Sequence, residues 1–256
     1  MLRVSDQQRW RQLLHPFLLN TNYSRMTSEV FNIDCLEYMR TLPDKAFQLA
    51  IADPPYGIGE DGASNHTRGL LAKPTKYTPK EWDKSAPNKE FFLELNRVSR
   101  HQIIWGANHF IENLPRRNSS CWVVWDKENG TTDFADCELA WASFPSAVRL
   151  FRFMWNGMLQ GDMSHKEIRI HPTQKPVALY AWLLKNYAKP GDRIFDPMMG
   201  SQSSRIAAYK MGFDYVGCEL DKEYFDKGCE RFAKECKGEI KLKDGSIVKQ
   251  ASLFDL

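Results

Sequence analysis

The regular alternation of short apolar runs with helical segments is the feature that most constrains how this 256-residue chain can fold. Predicted helices fall at residues 35–41, 91–99, 177–188, 203–211 and 222–237, and the one at 177–188 has an amphipathic pattern. Predicted strands fall at residues 30–33, 47–52, 102–105, 121–125, 138–142, 148–153, 193–195 and 215–218. Because strands that alternate with helices form parallel sheets covered on both faces, we predict an α/β fold with a doubly wound, mostly parallel sheet.

Composition narrows the class of protein. The length suits one α/β domain with a sizeable core. The chain has neither an apolar run long enough to span a bilayer nor a secretory signal, so a cytoplasmic location is expected. The six cysteines and six histidines form no zinc-ligand pattern. We therefore predict no metal site.

The charge is unevenly distributed. The 35 Lys and Arg residues against 32 Asp and Glu give a net charge of +3. Residues 145–189 hold seven basic and two acidic side chains, hence 7 − 2 = +5, which leaves −2 for the rest. Clustered basic charge favours a polyanion such as DNA as partner. A solvated basic face without a partner is the alternative interpretation.

The tetrapeptide Asp53-Pro54-Pro55-Tyr56 follows directly after the predicted strand 47–52. Two consecutive prolines keep the backbone extended, so Asp53 and Tyr56 are held at the carboxyl end of the sheet, where α/β proteins bind ligands. The Asp53 carboxylate and the Pro54 carbonyl can accept hydrogen bonds from an amino group, and the aromatic ring can stack on a flat heterocycle. The motif predicts a site for an exocyclic amine, although a rigid turn with a capping Asp has the same sequence.

A second candidate site follows the predicted strand 193–195. In the segment 196–201, Gly200 allows the backbone to approach a ligand, and the helix predicted from Ser203 has free amide groups at its start. Glu219 follows the next strand, at the position where doubly wound folds bind ribose hydroxyls. Because no Gly-x-Gly-x-x-Gly occurs here, an adenosine-type ligand without a pyrophosphate fits better than a nicotinamide dinucleotide.

Taken in order, these motifs resemble the beta-class S-adenosylmethionine-dependent DNA amino-methyltransferases. They are Asp-Pro-Pro-Tyr at 53–56, His-Pro-Thr-Gln-Lys-Pro at 171–176, and Asp-Pro with Gly-Ser within 196–201, and the resemblance spans about residues 30–232. It implies a Rossmann-like methyltransferase fold and transfer of a methyl group to N6 of an adenine flipped out of double-stranded DNA, in a bacterial or phage restriction-modification setting. The leading Asp is more typical of adenine-N6 than of cytosine-N4 enzymes, which are the alternative.

The resemblance also assigns roles to residues. Asp53, Pro54, Pro55 and Tyr56 would form the pocket for the flipped adenine. The cofactor would be bound by Asp34, Cys35, Thr173, Gln174, Lys175, Asp196, Met198, Gly200, Ser201 and Glu219. Within that set, Asp34 and Cys35 would contact its adenine, Glu219 its ribose, and residues 173–175 its methionine end.

Four positions of the cofactor loop depart from the pattern of the family, namely Met198, Gln202, Ser203 and Ser204, and Gln202 matters most. The cofactor loop there reads Asp-Pro-Phe-x-Gly-Ser-Gly-Thr-Thr, and Gln202 stands at the second of the two loop glycines. A side chain at this position is expected to disfavour a positive φ and to add bulk. A catalytically weak DNA-binding homologue is therefore a second alternative.

The predicted domains are an N-terminal extension at 1–27, with translation starting at Met1 or Met26, a methyltransferase domain at 28–240 and a tail at 241–256. The domain divides into a catalytic half (28–125), a small inserted target-recognition region (126–170) and a cofactor half (171–240). DNA contacts are predicted for Lys73, Lys76 and Lys80 in the polar stretch 57–88, and for Arg149, Arg152, Lys166 and Arg169. Those in the recognition region would read bases or hold phosphates.

Two protein partners are predicted. A recognition region this small favours a short recognition sequence or a homodimer. The segment Gln250-Ala251-Ser252-Leu253-Phe254 resembles the Gln-x-x-Leu-Phe peptide that binds the bacterial sliding clamp. Packing of Leu253 and Phe254 on the protein itself is the alternative.

Overall fold

The computed structural model describes residues 26–59, 83–129, 135–156, 159–241 and 247–249. Lys73, Lys76, Lys80, nearly all of the N-terminal extension and the segment 250–254 lie outside these ranges, so the hypotheses about them stay predictions. In the described part of the chain, no helix is long and apolar enough to cross a membrane.

Helices and strands alternate along the chain. The helices are α1 (Cys35–Arg40), α2 (Lys89–Val98), α3 (Val177–Tyr187), α4 (Ser203–Lys210) and α5 (Lys222–Lys237). The strands are β1 (Ser28–Phe31), β2 (Phe47–Ala52), β3 (Ser99–Trp105), β4 (Cys121–Asp126), β5 (Cys137–Ala142), β6 (Arg149–Arg152), β7 (Trp155–Asn156), β8 (Leu159–Gln160), β9 (Arg193–Asp196), β10 (Asp214–Cys218), β11 (Glu239–Lys241) and β12 (Ile247–Lys249). Two short 3-10 turns, Ala107–His109 and Ile111–Asn113, follow β3.

Eight strands form the central sheet in the order β1-β10-β9-β2-β3-β5-β4-β6. The first five are parallel to one another, and β6 is parallel to β4. Strand β5 is antiparallel to both of its neighbours, β3 and β4. The carboxyl ends of the other strands therefore share one edge of the sheet, and β5 begins at that edge. The predicted doubly wound, mostly parallel fold is confirmed.

The chain reverses its direction of winding between β2 and β9, which are neighbours in the sheet. From β2 it proceeds through α2 to β3 on one side, and from β9 through α4 to β10 on the other. Asp196 is the last residue of β9, and Asp53 follows the last residue of β2. Ligands of open α/β sheets bind outside the carboxyl ends of the strands at such a switch point. Both predicted motifs thus lie where the topology favours a binding site.

The core occupies both faces of the sheet. Leu49 and Ile51 of β2 pack in one apolar cluster with residues of α3 and α4. Ala50 and Ala52, which alternate with them, belong to a second cluster that includes residues of α1 and α2. A central parallel strand covered on both faces is apolar over most of its length, and residues 47–52 were recognisable as a strand because only Gln48 among them is polar.

Two elements differ from the sequence-based expectation. Helix α3 is buried over most of its surface instead of along one face, because it packs against both the sheet cluster and α4. Of the predicted recognition region, β5 and β6 belong to the central sheet, and the short pair β7–β8 lies outside it. The part of 126–170 that is separate from the catalytic sheet is therefore smaller than expected.

Neighbouring residues of α2 provide a test of the core. Phe92 is 1% exposed and stacks on Phe110 with ring centroids 5.1 Å apart, whereas Leu93 is 47% exposed. Because it leaves a cavity, Phe92→Ala should lower the free energy of unfolding by about 3–5 kcal/mol. Leu93→Ala, the matched control, should change it by no more than about 1 kcal/mol. Urea denaturation measures both, and equal losses would contradict this description of α2.

Candidate active site

The tetrapeptide is held in place by a buried carboxylate from a later part of the chain. Asp83 Oδ1 accepts hydrogen bonds from the backbone N–H groups of Tyr56 (2.7 Å) and Gly57 (2.9 Å). Asp83 is itself buried. The turn that presents Asp53 and Tyr56 is therefore fixed at both ends, by strand β2 before it and by Asp83 after it. No motif surrounds Asp83 in the sequence, so its role in holding the tetrapeptide was not predicted.

The Tyr56 ring packs closely on the end of β3. Gly106 has a φ of +66°, and a Cβ atom at this position would lie 2.1 Å from Tyr56 Cε1. Glycine is needed here for its backbone conformation and for the space it leaves to the ring. The imidazole of His109 stacks on Tyr56 with centroids 5.1 Å apart and planes inclined by 16°. The Tyr56 ring is therefore packed against the Gly106 backbone and stacked on the His109 imidazole.

A lysine from the His-Pro-Thr-Gln-Lys-Pro segment reaches the tetrapeptide. Lys175 Nζ lies 2.5 Å from Asp53 Oδ1, 3.0 Å from Glu138 Oε2 and 3.1 Å from the Tyr56 hydroxyl oxygen. The Tyr56 hydroxyl is also within hydrogen-bonding distance of Asp53 Oδ1, at 3.0 Å. No residue in the described ranges donates a hydrogen bond to Asp53 Oδ2. One oxygen of this carboxylate is thus saturated, and the other remains able to accept.

Two charged members of this cluster were not predicted from the sequence. Glu138 is the second residue of β5, and it also forms an ion pair with Lys127, which directly follows β4. Because β5 runs against its neighbours, its first residues lie at the edge where the other strands end. The reversed strand therefore brings Glu138 to Asp53 across 85 residues of sequence.

Burial and charge set the protonation states of the cluster. Burial raises the pKa of Asp53 above its ordinary value, and the nearby Lys175 ammonium opposes that rise. For Glu138 the two ammonium groups of Lys175 and Lys127 outweigh the effect of burial and lower its pKa to about 2. Burial alone would lower the pKa of Lys175, but Asp53 and Glu138 together raise it. The cluster therefore contains a charged lysine between two carboxylates.

The second motif forms a compact loop after β9. Both carboxylate oxygens of Asp196 accept hydrogen bonds, one from the Met198 N–H (3.0 Å) and one from the Ser204 hydroxyl (2.5 Å). Glu219 Oε2 accepts from the Gly200 N–H at 2.9 Å. Burial raises the pKa values of both acids, that of Asp196 to about 7. The carboxylates of Asp196 and Glu219 and the loop 197–202 thus form one connected unit at the switch point.

The other predicted cofactor residues have varied surroundings. Asp34 caps α1 by accepting from the N–H groups of Leu36 and Glu37, and Cys35 is buried beside it. Thr173 is exposed and bonds to His171, whereas the buried Gln174 side chain accepts from the Ile170 N–H. Ser201 is buried with its hydroxyl 3.2 Å from that of Ser203. Lys175 lies with the tetrapeptide and so at the catalytic end of the site.

The structure accommodates the bulk of Gln202, although this residue keeps the positive φ that the sequence was expected to disfavour. Gln202 adopts φ +60°, and its own N–H donates to the Met199 carbonyl at 2.7 Å. Its side chain is fully buried, donates to the Phe225 carbonyl and accepts from Arg205. A Cβ atom on Gly228 of α5 would lie 2.6 Å from Gln202 Nε2. The bulk of Gln202 is therefore accommodated against α5, where a glycine leaves room for it.

The predicted DNA-contacting residues that the structure describes are spread over two surfaces. Arg149 and Arg152 begin and end β6, the edge strand, and Arg152 pairs with Asp126 at 3.2 Å. The Arg169 guanidinium lies over the Trp155 ring, 4.7 Å from its centroid, and Lys166 is exposed. Trp155 Nε1 in turn donates to the Gln174 carbonyl at 2.7 Å. Arg169 therefore lies beside the segment that carries Lys175, and Arg149 lies at the far end of β6.

Comparisons with known proteins point to DNA methylases. A family model described as DNA methylase, of the N6/N4 type, matches residues 104–230. The type II methyltransferase M.HinfI of Haemophilus influenzae is 25% identical over 253 residues, covering 82% of this chain and 69% of its own. The type II methyltransferase M2.MboI of Moraxella bovis is also 25% identical, over 82% of this chain and 90% of its own.

Solved structures share the fold. The DNA modification methylase TTHA0409 of Thermus thermophilus, in complex with S-adenosyl-L-methionine, matches with a TM-score of 0.52 and 19% identity over 83% of this chain and 97% of its own. The cytosine-N4-specific PvuII DNA methyltransferase matches with a TM-score of 0.54 and 13% identity, over 81% and 87% of the two chains.

The raised pKa of Asp196 predicts how stability depends on pH. Folding shifts this pKa from near 3.8 to about 7, so the folded state holds the proton more tightly than the unfolded state. This contribution to stability is fully present below about pH 4 and is lost as the pH rises through 7. In Asp196→Asn the loss should disappear, which flattens the melting temperature between about pH 5 and pH 8. Asp226→Asn, an exposed control on α5, should keep the wild-type slope, and an unchanged slope in both variants would contradict the assignment.

Proposed function

We propose that this chain, a member of the DNA methylase family, transfers a methyl group from S-adenosylmethionine to the N6 amino group of an adenine flipped out of double-stranded DNA. The observation that carries the proposal is the Asp53 carboxylate, which has one saturated and one accepting oxygen beside Tyr56 at the switch point. The type II methyltransferases among its relatives make a bacterial or phage restriction-modification system the setting that we propose.

The geometry suits activation of an aromatic amine. The lone pair of such an amine is delocalised into the ring, so a site that accepts both N–H hydrogens localises it for attack. Asp53 Oδ2 and the Pro54 carbonyl can supply the two acceptors. Burial raises the pKa of Asp53, and the Lys175 ammonium opposes that rise and so favours the ionised, accepting form. Catalysis would then rest on orientation and electrostatics, without a covalent enzyme intermediate.

Tyr56 supplies the stacking surface for the target base. Removing a base from the helix costs a few kcal/mol, and stacking on an aromatic ring offsets part of it. In this structure the imidazole of His109 is the flat partner of Tyr56, so a target base stacked on the same face would take the place of His109.

The charges of the site fit S-adenosylmethionine. Burial raises the pKa values of Asp196 and Glu219, so both carboxylates gain from a nearby positive charge. When bound, this cofactor supplies a positively charged sulfonium with a reactive methyl group. Glu219 would hold the ribose, Asp34 and Cys35 would lie at the adenine, and the loop with Met198, Gly200 and Ser201 would enclose the rest. Among the described residues no group of three or more metal-ligating side chains occurs, and a reaction without metal stays a prediction.

Analysis of the methylated nucleoside tests the function and separates it from the alternatives. The full chain is incubated with methyl-labelled S-adenosylmethionine and double-stranded DNA of mixed sequence, and the DNA is digested to nucleosides. N6-methyladenine supports the proposal, and N4-methylcytosine would assign the protein to the cytosine class. DNA retention without transfer would identify a silent homologue. The accommodation of Gln202 against Gly228 argues against that last outcome.

The catalytic assignment predicts the effect of removing one carboxylate. Asp53→Ala should lower the turnover by at least about 100-fold, because the target amine loses a charged acceptor. Cofactor affinity measured by calorimetry should stay close to wild type, since other residues bind the cofactor. Asp226→Ala, an exposed control, should leave both quantities unchanged. Full turnover by Asp53→Ala would overturn the assignment.

The two protein partners, the sliding clamp and a second copy of this chain, are proposed from the sequence and not from the site. We propose that Gln250-Ala251-Ser252-Leu253-Phe254 binds the sliding clamp, on the strength of its sequence alone. Purified clamp should retain the full chain on a column and lose it when residues 250–256 are deleted, and equal recovery of both forms would contradict the proposal. A homodimer and a cytoplasmic location also stay predictions.

A further inference from the structure

Four side chains of alternating charge form a row of ion pairs beside the tetrapeptide, and we refer to them as the row. In spatial order they are Lys127, Glu138, Lys175 and Asp53, with Glu138 ion-paired to both lysines and Lys175 to both carboxylates. They come from the ends of β4 and β2, the start of β5 and the segment before α3. Only Asp53 belongs to the tetrapeptide. Glu138 and Lys127 have no role in the function proposed above.

The burial of Lys175 shows why the row is needed. Its side chain is only 3% exposed, and an ammonium group in such surroundings must be compensated by charge and hydrogen bonds. Asp53 supplies one partner, Glu138 the second and the Tyr56 hydroxyl the third. If Asp53 were the sole carboxylate partner, the ammonium would be free to bridge both of its oxygens. Glu138 draws the ammonium to one side, where it contacts Oδ1.

We propose that Glu138 is a positioning residue for methyl transfer, which holds the Lys175 ammonium on Asp53 Oδ1 and thereby keeps Asp53 Oδ2 available to the target amine. The inference rests on the proposed function and extends it to a residue outside its motifs. Lys127 neutralises the outer side of Glu138, so the row as a whole carries no net charge. Glu138 Oε2 also accepts from the Tyr56 hydroxyl at 3.3 Å, so Glu138 acts on the amine through Lys175, Asp53 and Tyr56.

Removing the charge of Glu138 and removing the charge of Lys175 should shift the pH dependence of the rate in opposite directions. The charged and titratable groups near Asp53 are Lys175, Glu138, Tyr56, Asp196 from β9 and Tyr180 from α3. Lys175 lowers the pKa of Asp53, and Glu138 raises it. Because Asp53 must be ionised to accept, the rate rises with pH through this pKa. Removing the charge of Glu138 moves that rise to lower pH, and removing the charge of Lys175 moves it to higher pH.

The test is a series of pH–rate profiles. Single-turnover methyl transfer by the full chain is measured between about pH 5 and pH 9 for wild type, Glu138→Gln and Lys175→Met. Glu138→Gln should lower the maximal rate about 10-fold and shift the acid limb about one pH unit down. Lys175→Met should shift the acid limb about one pH unit up. Glu138→Asp keeps the charge on a shorter side chain, so it should retain the wild-type limb at a reduced rate.

The controls separate positioning from stability. Glu29→Gln removes an ion-paired carboxylate near the start of β1, and its rate and profile should match wild type. Thermal unfolding establishes that every variant is folded. If Lys175→Met does not fold, the acid limbs of Glu138→Gln and Glu138→Asp are compared, and a shift in Glu138→Gln alone supports the inference. An unshifted limb in Glu138→Gln, or shifts of the two inner variants in the same direction, overturns the inference alone. Wild-type protein that transfers no methyl group overturns the proposed function, and this inference with it.

Discussion

The buried ammonium group of Lys175 is the interaction on which the catalytic end of the molecule depends. A lysine with so little exposure is stable only where carboxylates converge, and Asp53 and Glu138 do so from two strands of the sheet. This requirement places the segment before α3 directly over the ends of β2 and β5. It also saturates one oxygen of Asp53 and leaves the other to a ligand. One electrostatic constraint thus sets both the packing of three chain segments and the chemistry of the tetrapeptide.

The topology supplies what the charges need. In a sheet with parallel strands throughout, the first residues of each strand lie at the edge away from the ligand site. Reversal of β5 places its second residue, Glu138, at the edge where β2, β3 and β4 end. Lys127 follows β4 and reaches the same carboxylate. The single reversed strand of the described sheet therefore provides an acid that neither of the two sequence motifs contains.

The sequence predicted the local features well and the distant contacts poorly. The bounds of β2 and α5 follow from patterns within a few residues, which are a mostly apolar run for β2 and a helical period for α5. The tetrapeptide was identifiable because its prolines act on their own backbone. Glu138 and Asp83 were not, because each acts through a contact to a residue far away in sequence. The same reason explains Gln202, whose accommodation depends on Gly228 of another helix.

The cofactor loop and the recognition region share one support. The buried Arg231 of α5 donates to the Ser201 carbonyl (3.1 Å) in the cofactor loop and to Glu167 Oε2 (2.6 Å) in the recognition region. The other oxygen of Glu167 accepts from the Val177 N–H at the start of α3, two residues after Lys175. Arg231 also pairs with Glu235 at 2.8 Å, so its buried guanidinium is compensated by two carboxylates while it links these segments. The loop 197–202, the predicted recognition region and the segment that carries Lys175 are therefore linked to one another through α5.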